Sequence, residues 1–268
     1  MYLAAAVQLN ATSNTERNWD QLTTLVGRAA KYGASFVASP ENTNFLGPHD
    51  LKAKIAEPLS GETVQRYQEL ANKHDIHLLI GSVNERSDES TRCYNTSVLL
   101  GPNGDLLASY RKMHLFDVDL SEDVHFLETT TTVPGDTPVV VETVLGRIGL
   151  SICYDLRFPQ LYQRLRDDGA ELIAVPSAFT MTTGQAHWHA LLRARAIETQ
   201  CFVVAPGQYG HHDDAGLRNS YGHSIIVDPW GAVIGQSPDG PGLALAEIDL
   251  ERMRSIRRSM PITEHRRL

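Results

Sequence analysis

The chain has 268 residues, 42% of them hydrophobic, and a formal net charge of −8. This hydrophobic content is sufficient for a large core, and we expect a single domain over residues 1–268. The acidic balance argues against a broad binding surface for nucleic acid or for an anionic membrane, so neither is expected as a partner.

The N-terminal half is predicted to alternate between strands and helices. Its apolar first residues lack the basic start of a targeting segment and indicate a buried strand. A helix begins at the capping box Ser13-Asn14-Thr15-Glu16 and ends at Gly33, and Ser60 caps a second helix. The predicted strands are residues 3–9, 35–39, 77–82, 95–100 and 106–112. The acidic, irregular stretch 113–134 is predicted to be a loop.

The C-terminal half follows a similar plan. Pro159 suits the first turn of a helix, residues 180–184 are predicted to form a Thr/Gly loop, and a long helix follows that loop. Asp249 caps the last helix, which Pro261 ends. The predicted strands are residues 139–144, 147–152, 171–176, 202–205, 224–227, 233–235 and 243–248.

Two patterns occur once in each half and in the same order. GAxxVAxP at residues 33–40 recurs as GAxxIAxP at residues 169–176, and SVLLxPxG at residues 97–104 recurs as SIIVxPxG at residues 224–231. We interpret them as a duplicated β-α-β-α-β-β unit, although common strand and turn residues also produce chance similarity. Two such halves predict an α/β fold, a four-layer α-β-β-α sandwich of two facing mixed sheets with an internal pseudo-two-fold repeat.

Cys153 directly follows the predicted strand 147–152 and precedes a short polar turn and a helix. A thiol at the positive end of a helix dipole has a lowered pKa, which favours the reactive thiolate. The alternative is a structural cysteine in an apolar strand. Cys93 and Cys201 form no CxxC pair with it, so we expect no disulfide framework and a cytoplasmic protein.

Two charged residues follow or close predicted buried strands. Glu41 lies in Pro40-Glu41-Asn42 after strand 35–39, and Lys112 closes strand 106–112. A carboxylate and an ammonium that meet at strand ends offset each other's cost of burial. For either residue alone, an exposed charge at a strand end is the favoured explanation.

The 11 histidines form no recognisable catalytic pattern. His187-Trp188-His189 and His211-His212 are candidate metal ligands, but neither pair has a third ligand at suitable spacing. We therefore expect no metal and no cofactor.

Three segments resemble the glutamate, lysine and cysteine motifs of the nitrilase superfamily of carbon–nitrogen hydrolases. They are PEN (40–42), YRKMHLFDVD (110–119) and GLSICYDLRFP (149–159), in the family's order. Residues 176–210 and 220–234 are similar to the Nit branch, whose members include deaminated glutathione amidase and ω-amidase. The resemblance covers almost the whole chain.

This resemblance implies a role for each motif. Cys153 is expected to be the nucleophile and Glu41 the general base. Lys112 and the backbone N–H of Tyr154 are expected to bind the oxyanion. Glu128 best matches the family's second glutamate, which orients the lysine and the leaving group, although the same loop also offers Glu122 and Asp123.

The resemblance also implies the residues of the acyl pocket. Phe179, Thr182, Thr183 and Arg157 are expected to line it. Arg157 is suited to bind a substrate carboxylate through two hydrogen bonds, and the alternative is a structural salt bridge with Asp155 or another carboxylate.

The function implied is an amidase that hydrolyses a small carboxylate-bearing amide through a thioester, with deaminated glutathione favoured over α-ketoglutaramate. Another amidase or a carbamoylase of the superfamily, and a catalytically silent binding member, are the alternatives. A homodimer is implied as well, with the helix near residues 159–166 and the C-terminal tail at the interface. Leu161, Tyr162 and Leu165 form an apolar pattern compatible with that interface.

Overall fold

A computed structural model describes residues 1–121, 124–212 and 219–267. Glu122 and Asp123, the alternatives to Glu128, lie outside these residues. The α-helices are α1 (Thr15–Lys31), α2 (Lys52–Ile55), α3 (Glu62–His74), α4 (Pro159–Asp167), α5 (Met181–Thr199), α6 (Leu250–Ser259) and α7 (Ile262–His265). The 3-10 helices are His49–Leu51, Glu128–Thr130 and Cys153–Arg157.

The strands alternate with these helices along the chain. Those of the first half are β1 (Tyr2–Gln8), β2 (Ala34–Ala38), β3 (His77–Arg86), β4 (Cys93–Leu100), β5 (Leu106–Arg111), β6 (Asp117–Ser121), β7 (Val124–Leu127) and β8 (Thr132–Val133). Those of the second half are β9 (Val139–Thr143), β10 (Gly146–Leu150), β11 (Leu172–Ala174), β12 (Phe202–Ala205), β13 (Tyr209–His211), β14 (Asn219–Tyr221), β15 (Ile225–Val227), β16 (Val233–Gln236) and β17 (Gly242–Ile248).

Two large mixed sheets have the same plan. The first has the order β17-β1-β2-β3-β4-β5, and the second has the order β16-β15-β12-β11-β10-β9. In each sheet three consecutive parallel strands are followed by two antiparallel ones, and an antiparallel strand covers the opposite edge. The predicted repeat and the predicted pair of mixed sheets are therefore confirmed.

The layers follow from where the apolar side chains are buried. One core cluster joins residues of the first sheet, such as Phe36 and Leu79, to residues of the second sheet, such as Leu150. A second cluster packs α1 and α3 against the other face of the first sheet. Burying one face of each helix and both faces of each sheet produces the α-β-β-α order of layers.

Several local predictions need correction. The cap of α1 is Asn14 and not Ser13, because the Asn14 side chain accepts the Arg17 N–H at 3.0 Å. Helix α3 begins after Gly61, without a side-chain cap from Ser60. The predicted loop 113–134 contains the antiparallel pair β6–β7 and the short strand β8, and the predicted loop 180–184 is mostly the first turn of α5.

The chemistry-bearing residues follow the carboxyl ends of core strands. Glu41 lies three residues after β2, Lys112 directly after β5, and Cys153 three residues after β10. Ligands of open α/β sheets bind at the carboxyl ends of parallel strands, and β2 and β10 each belong to the three parallel strands of their sheet. None of the helices within the described ranges is long and apolar enough to cross a membrane.

Candidate active site

Four chemistry-bearing side chains from distant parts of the chain line one pocket. Lys112 Nζ lies 2.9 Å from Glu41 Oε1 and 2.8 Å from Glu128 Oε2. The Cys153 thiol lines the same pocket, and the Glu41 carboxylate is close enough to raise the pKa of that thiol. All four residues are buried, with exposed fractions of 2% for Lys112, 3% for Glu41, 7% for Glu128 and 9% for Cys153. Buried charges of this kind are tolerated only when they are paired, as these are.

Glu41 is held from its backbone and from its side chain. The Gln208 side chain donates to the Glu41 carbonyl at 2.9 Å, and the Ala178 N–H donates to Glu41 Oε2 at 2.9 Å. The segment leading into Glu41 passes so close to β3 that a Cβ at Gly81 would lie 2.1 Å from the Ser39 and Pro40 carbonyl oxygens. Only glycine permits that approach, so Gly81 contributes to where the carboxylate lies.

Lys112 enters the pocket from the end of β5. Its backbone N–H donates to the Asn95 carbonyl at 2.9 Å, and its carbonyl accepts the Gly135 N–H at 2.8 Å. Burial alone would lower the Lys112 pKa, but the carboxylates of Glu128 and Glu41 raise it well above its usual value. The ammonium is therefore charged at neutral pH.

Glu128 begins the 3-10 helix Glu128–Thr130. Its Oε2 accepts the Phe116 N–H at 2.7 Å in addition to Lys112 Nζ. Burial opposes its ionisation, but Lys112 and Lys52 lower its pKa to about 2. Glu128 thus remains a carboxylate that fixes the direction of the Lys112 ammonium.

The backbone of Cys153 is constrained at the point where β10 passes into the 3-10 helix Cys153–Arg157. Its φ of +48° lies in the left-handed region, which non-glycine residues rarely occupy, and its N–H donates to the Pro176 carbonyl at 2.9 Å. The next residue, Tyr154, is in the first turn of this helix, where backbone N–H groups have no acceptor within the helix. The turn places both Cys153 and Tyr154 in the lining of the pocket.

The thiol is not a resting thiolate, contrary to the prediction from the helix dipole. Burial and the adjacent Glu41 carboxylate raise the Cys153 pKa well above its usual value, and Lys112 offsets this only in part. The helix end is also occupied, because Asp155 Oδ2 accepts the Ile152 N–H at 2.8 Å. The thiol can therefore react as a thiolate only if a neighbouring group accepts its proton, and Glu41 is the carboxylate beside it.

Asp155 forms a buried network that the sequence analysis did not identify. It is 0% exposed and accepts from the Tyr110 hydroxyl at 2.7 Å and from the His114 N–H at 3.0 Å. His114 Nδ1 lies 2.7 Å from Asp155 Oδ1, the oxygen that also accepts the His114 backbone N–H, and the His114 ring stacks on Phe158 at 3.8 Å. This network ties the cysteine turn to the segment that follows Lys112.

Arg157 does not form the structural salt bridge with Asp155 that was considered as the alternative. It is half-buried at the pocket wall, 5.2 Å from the Phe179 ring and 5.8 Å from the Tyr154 ring. Its Nη1 lies 3.3 Å from His187 Nδ1. Within the described part of the chain no carboxylate is paired with Arg157, so its charge faces the pocket.

The other expected pocket residues divide into two groups. Phe179 and Thr183 line the pocket, together with Thr180, whose hydroxyl lies 2.7 Å from that of Thr183. Thr182 was expected to line it as well, but its side chain is exposed and outside the lining. Since α5 already begins at Met181, neighbouring residues point in different directions, and Thr183 faces inward while Thr182 faces solvent.

Candidate metal ligands lie elsewhere. His187 contacts Arg157, and His189 Nε2 lies 3.0 Å from Gln236 Oε1. His212 is buried between the Ala11 carbonyl and the Ser220 hydroxyl. Over residues 1–121, 124–212 and 219–267, no group of three or more His, Cys, Asp or Glu side chains is arranged to hold a metal ion.

The profile of the carbon–nitrogen hydrolase family matches residues 3–258. Deaminated glutathione amidase of Mus musculus is 42% identical over 270 residues, which cover 99% of this chain and 83% of that protein. The enzyme of the same name from Synechocystis sp. is 40% identical over 268 residues, covering 99% of this chain and 98% of that protein.

A solved structure supports the same relationship. Saccharomyces cerevisiae Nit3, described as a member of branch 10 of the nitrilase superfamily, superposes with a TM-score of 0.89 at 32% identity. The match covers 100% of this chain and 97% of that chain. The family profile, the sequence identity to these relatives and the matching fold all agree. This chain therefore belongs to the carbon–nitrogen hydrolase family.

Proposed function

We propose that this protein is a cysteine-dependent amidase that hydrolyses a small carboxylate-bearing amide through a thioester acyl-enzyme. The observation that carries the proposal is the buried Lys112 ammonium held between two carboxylates beside the Cys153 thiol. This set supplies a nucleophile, a base and an oxyanion donor in one water-poor pocket, which are the requirements of acyl transfer.

The first step is attack on the amide. Cys153 loses its proton to Glu41 as its sulfur bonds to the amide carbonyl carbon, and the carbonyl oxygen becomes an oxyanion. An ammonium has three donors, and the two carboxylates take two of the Lys112 donors, so one is available to the oxyanion. The Tyr154 backbone N–H is the proposed second donor.

The second step releases the amine and then the acid. Collapse of the tetrahedral intermediate breaks the C–N bond, and Glu41 returns its proton to the leaving nitrogen. A water molecule then attacks the thioester while Glu41 takes one of its protons, and the Cys153 sulfur leaves and is reprotonated. Each turn consumes one amide and one water and gives one acid and one amine.

The proposed substrate is deaminated glutathione, which would yield 2-oxoglutarate and cysteinylglycine. The similarity to the two enzymes of that name supports it, as does the charge of Arg157 facing the pocket. A guanidinium binds a carboxylate through two parallel hydrogen bonds, and Phe179 provides an apolar wall for the acyl chain. α-Ketoglutaramate, the substrate of an ω-amidase, is the alternative, and a carbamoylase or another superfamily amidase is less favoured.

The substrate proposal predicts an order of activities on purified protein. We expect the kcat/KM for deaminated glutathione to exceed that for α-ketoglutaramate, and both to exceed that for butyramide, which lacks the carboxylate. Release of ammonia or of cysteinylglycine measures each reaction. Activity on neither carboxylate-bearing amide would defeat the assignment of the substrate.

A catalytically silent binding member is a different class of protein with the same fold. Mass spectrometry after incubation with an electrophilic amide analogue distinguishes such a binding member from an amidase. An amidase is expected to carry the analogue on Cys153, whereas a binding member would leave that residue unmodified.

We further propose a homodimer in which the region of α4 and the C-terminal tail form the interface. The apolar residues Leu161, Tyr162 and Leu165 do not contribute to it, because they are buried in the core of the chain itself. The exposed Ile197 of α5 and Met260 after α6 are apolar candidates instead.

The dimer is tested by sedimentation velocity at micromolar concentration. We expect one species with twice the mass of the chain, because exposed apolar side chains favour association. Sedimentation as a monomer only would refute the proposed dimer.

We also propose a single domain over residues 1–268 and a cytoplasmic location. The shared core cluster of both sheets and the pairing of β17 with β1 support one domain. The three cysteines are free and buried, which is compatible with a reducing compartment.

A further inference from the structure

Asn95 lies at the centre of the charged cluster, although no motif points to it. Its Nδ2 is 2.9 Å from Glu41 Oε1 and 3.3 Å from Glu128 Oε1. Its backbone carbonyl accepts the Lys112 N–H at 2.9 Å. One residue on β4 therefore contacts the backbone of the lysine and both carboxylate partners of the lysine side chain.

The orientation of the Asn95 amide follows from its surroundings. An amide oxygen in the place of Nδ2 would face two carboxylate oxygens with no proton between them, which is repulsive. The nitrogen must therefore face Glu41 and Glu128, and Oδ1 lies buried without a hydrogen-bond partner within the described residues. An unpaired buried acceptor is destabilising, so the amide is not explained as a device for stability alone.

The two oxygens of Glu41 are consequently unequal. Oε1 accepts from both Lys112 and Asn95, which uses the two lone pairs of a carboxylate oxygen. Oε2 accepts from the Ala178 N–H and retains one lone pair. Since both lone pairs of Oε1 are used, Oε2 is the Glu41 oxygen that can accept the proton of the Cys153 thiol in the same pocket.

We propose that Asn95 is a positioning residue of the reaction: its side-chain amide joins Glu41 and Glu128 around Lys112 and leaves Glu41 Oε2 as the oxygen that accepts the Cys153 proton. This rests on the proposed function, in which Glu41 is the base. Asn95 contacts neither the sulfur nor the acyl pocket and acts through the carboxylates that it holds.

The charges that face this cluster come from several elements. The groups are Glu41 after β2, Lys112 after β5, Glu128 in its 3-10 helix, Cys153 after β10, Lys52 of α2 and Cys93 of β4. Removing the Asn95 donor leaves these groups in place and withdraws the hydrogen bonds that join Glu41 to Glu128. Glu41 Oε1 then has a free lone pair, and the carboxylate is no longer fixed with Oε2 as its only available acceptor.

The test is the split between kcat and KM for whichever of the two carboxylate-bearing amides turns over faster. In Asn95→Leu we expect kcat to fall about tenfold or more, because a base that is no longer fixed transfers the proton less efficiently. We expect KM to change little, because Asn95 lines no part of the pocket. The matched control is Asn84→Leu. Asn84 is the cross-strand partner of Asn95, is similarly buried and contacts the Cys93 sulfur, so its kcat should not change.

The outcomes separate this proposal from the function on which it rests. A folded Asn95→Leu with the wild-type kcat overturns the role of Asn95, and if that variant does not fold, Asn95→Ser decides in the same way through a smaller loss of kcat. Glu41→Gln should abolish turnover. If it does not, Glu41 is not the base, and the proposed function fails together with the role of Asn95.

Discussion

Replacing Cys153 with alanine is expected to abolish turnover and to preserve the fold. Loss of a nucleophile from a triad-like set reduces kcat by on the order of 10⁴-fold or more. The side chain is 9% exposed and small, so its removal creates little cavity and also relieves the burial of a thiol beside Glu41. Initial rates and thermal unfolding of the purified variant measure the two effects.

Cys201→Ala is the matched control for this change. Cys201 is a fully buried free thiol directly before β12, where it contacts Arg257 and the Ala170 carbonyl. That variant should lose some stability and keep its kcat. Hydrolysis by Cys153→Ala at a rate close to that of the wild-type enzyme would show that the sulfur is not the nucleophile.

Replacing Lys112 with methionine is expected to damage both activity and stability. Loss of one oxyanion donor lowers kcat by about 10²–10³-fold. It also leaves Glu41 and Glu128 buried without their shared ammonium, and breaking such a buried pair costs about 3–5 kcal/mol. Urea unfolding gives the second effect, and rates measured where the variant is folded give the first.

A double variant separates the two consequences. Adding Glu128→Gln removes one of the orphaned carboxylates, so Lys112→Met/Glu128→Gln should recover part of the lost stability without recovering activity. Lys54→Met, an exposed lysine two residues after the buried Lys52, is the surface control. Activity restored in the double variant would contradict the assignment of Lys112 as an oxyanion donor.

The sequence was sufficient to predict the architecture because the information is periodic and local. Alternating apolar strands and amphipathic helices indicated an α/β fold, and the two recurring GAxxxAxP patterns indicated its duplication. The structure places them at β2 and β11, equivalent central strands of the two sheets. The β6–β7 pair was missed because the whole stretch 113–134 was interpreted as an acidic loop, although β6 alternates acidic and apolar residues and β7 is mostly apolar.

The principal site residues were predictable from motifs, but their ionisation was not. The lowered pKa expected for Cys153 depended only on the helix dipole of its own turn. The raised pKa of that thiol arises from burial and from Glu41, which is far away in the sequence. The role of Asp155, whose carboxylate accepts a hydrogen bond from the Ile152 N–H at the start of the turn, was also not predicted from the local sequence.

Asn95 shows where such reasoning ends. It stands in an ordinary strand, with no charge and no unusual neighbour in the sequence. The antiparallel pairing of β4 with β5 brings Asn95 beside Lys112. The partners of its side-chain amide, Glu41 and Glu128, come from other parts of the chain. For Thr182 the prediction was wrong for the opposite reason. Its neighbour Thr183 lines the pocket, but the helical geometry of α5 directs the Thr182 side chain away from it.

The most direct test of the account is to capture the covalent intermediate. The enzyme is mixed with whichever of the two carboxylate-bearing amides turns over faster, quenched in acid during turnover, digested and analysed by mass spectrometry. We predict a thioester of the acyl portion on the peptide that contains Cys153, absent from Cys153→Ala. A steady-state reaction that leaves this peptide unmodified, or that places the acyl group on another residue, would contradict the proposal that Cys153 is the nucleophile.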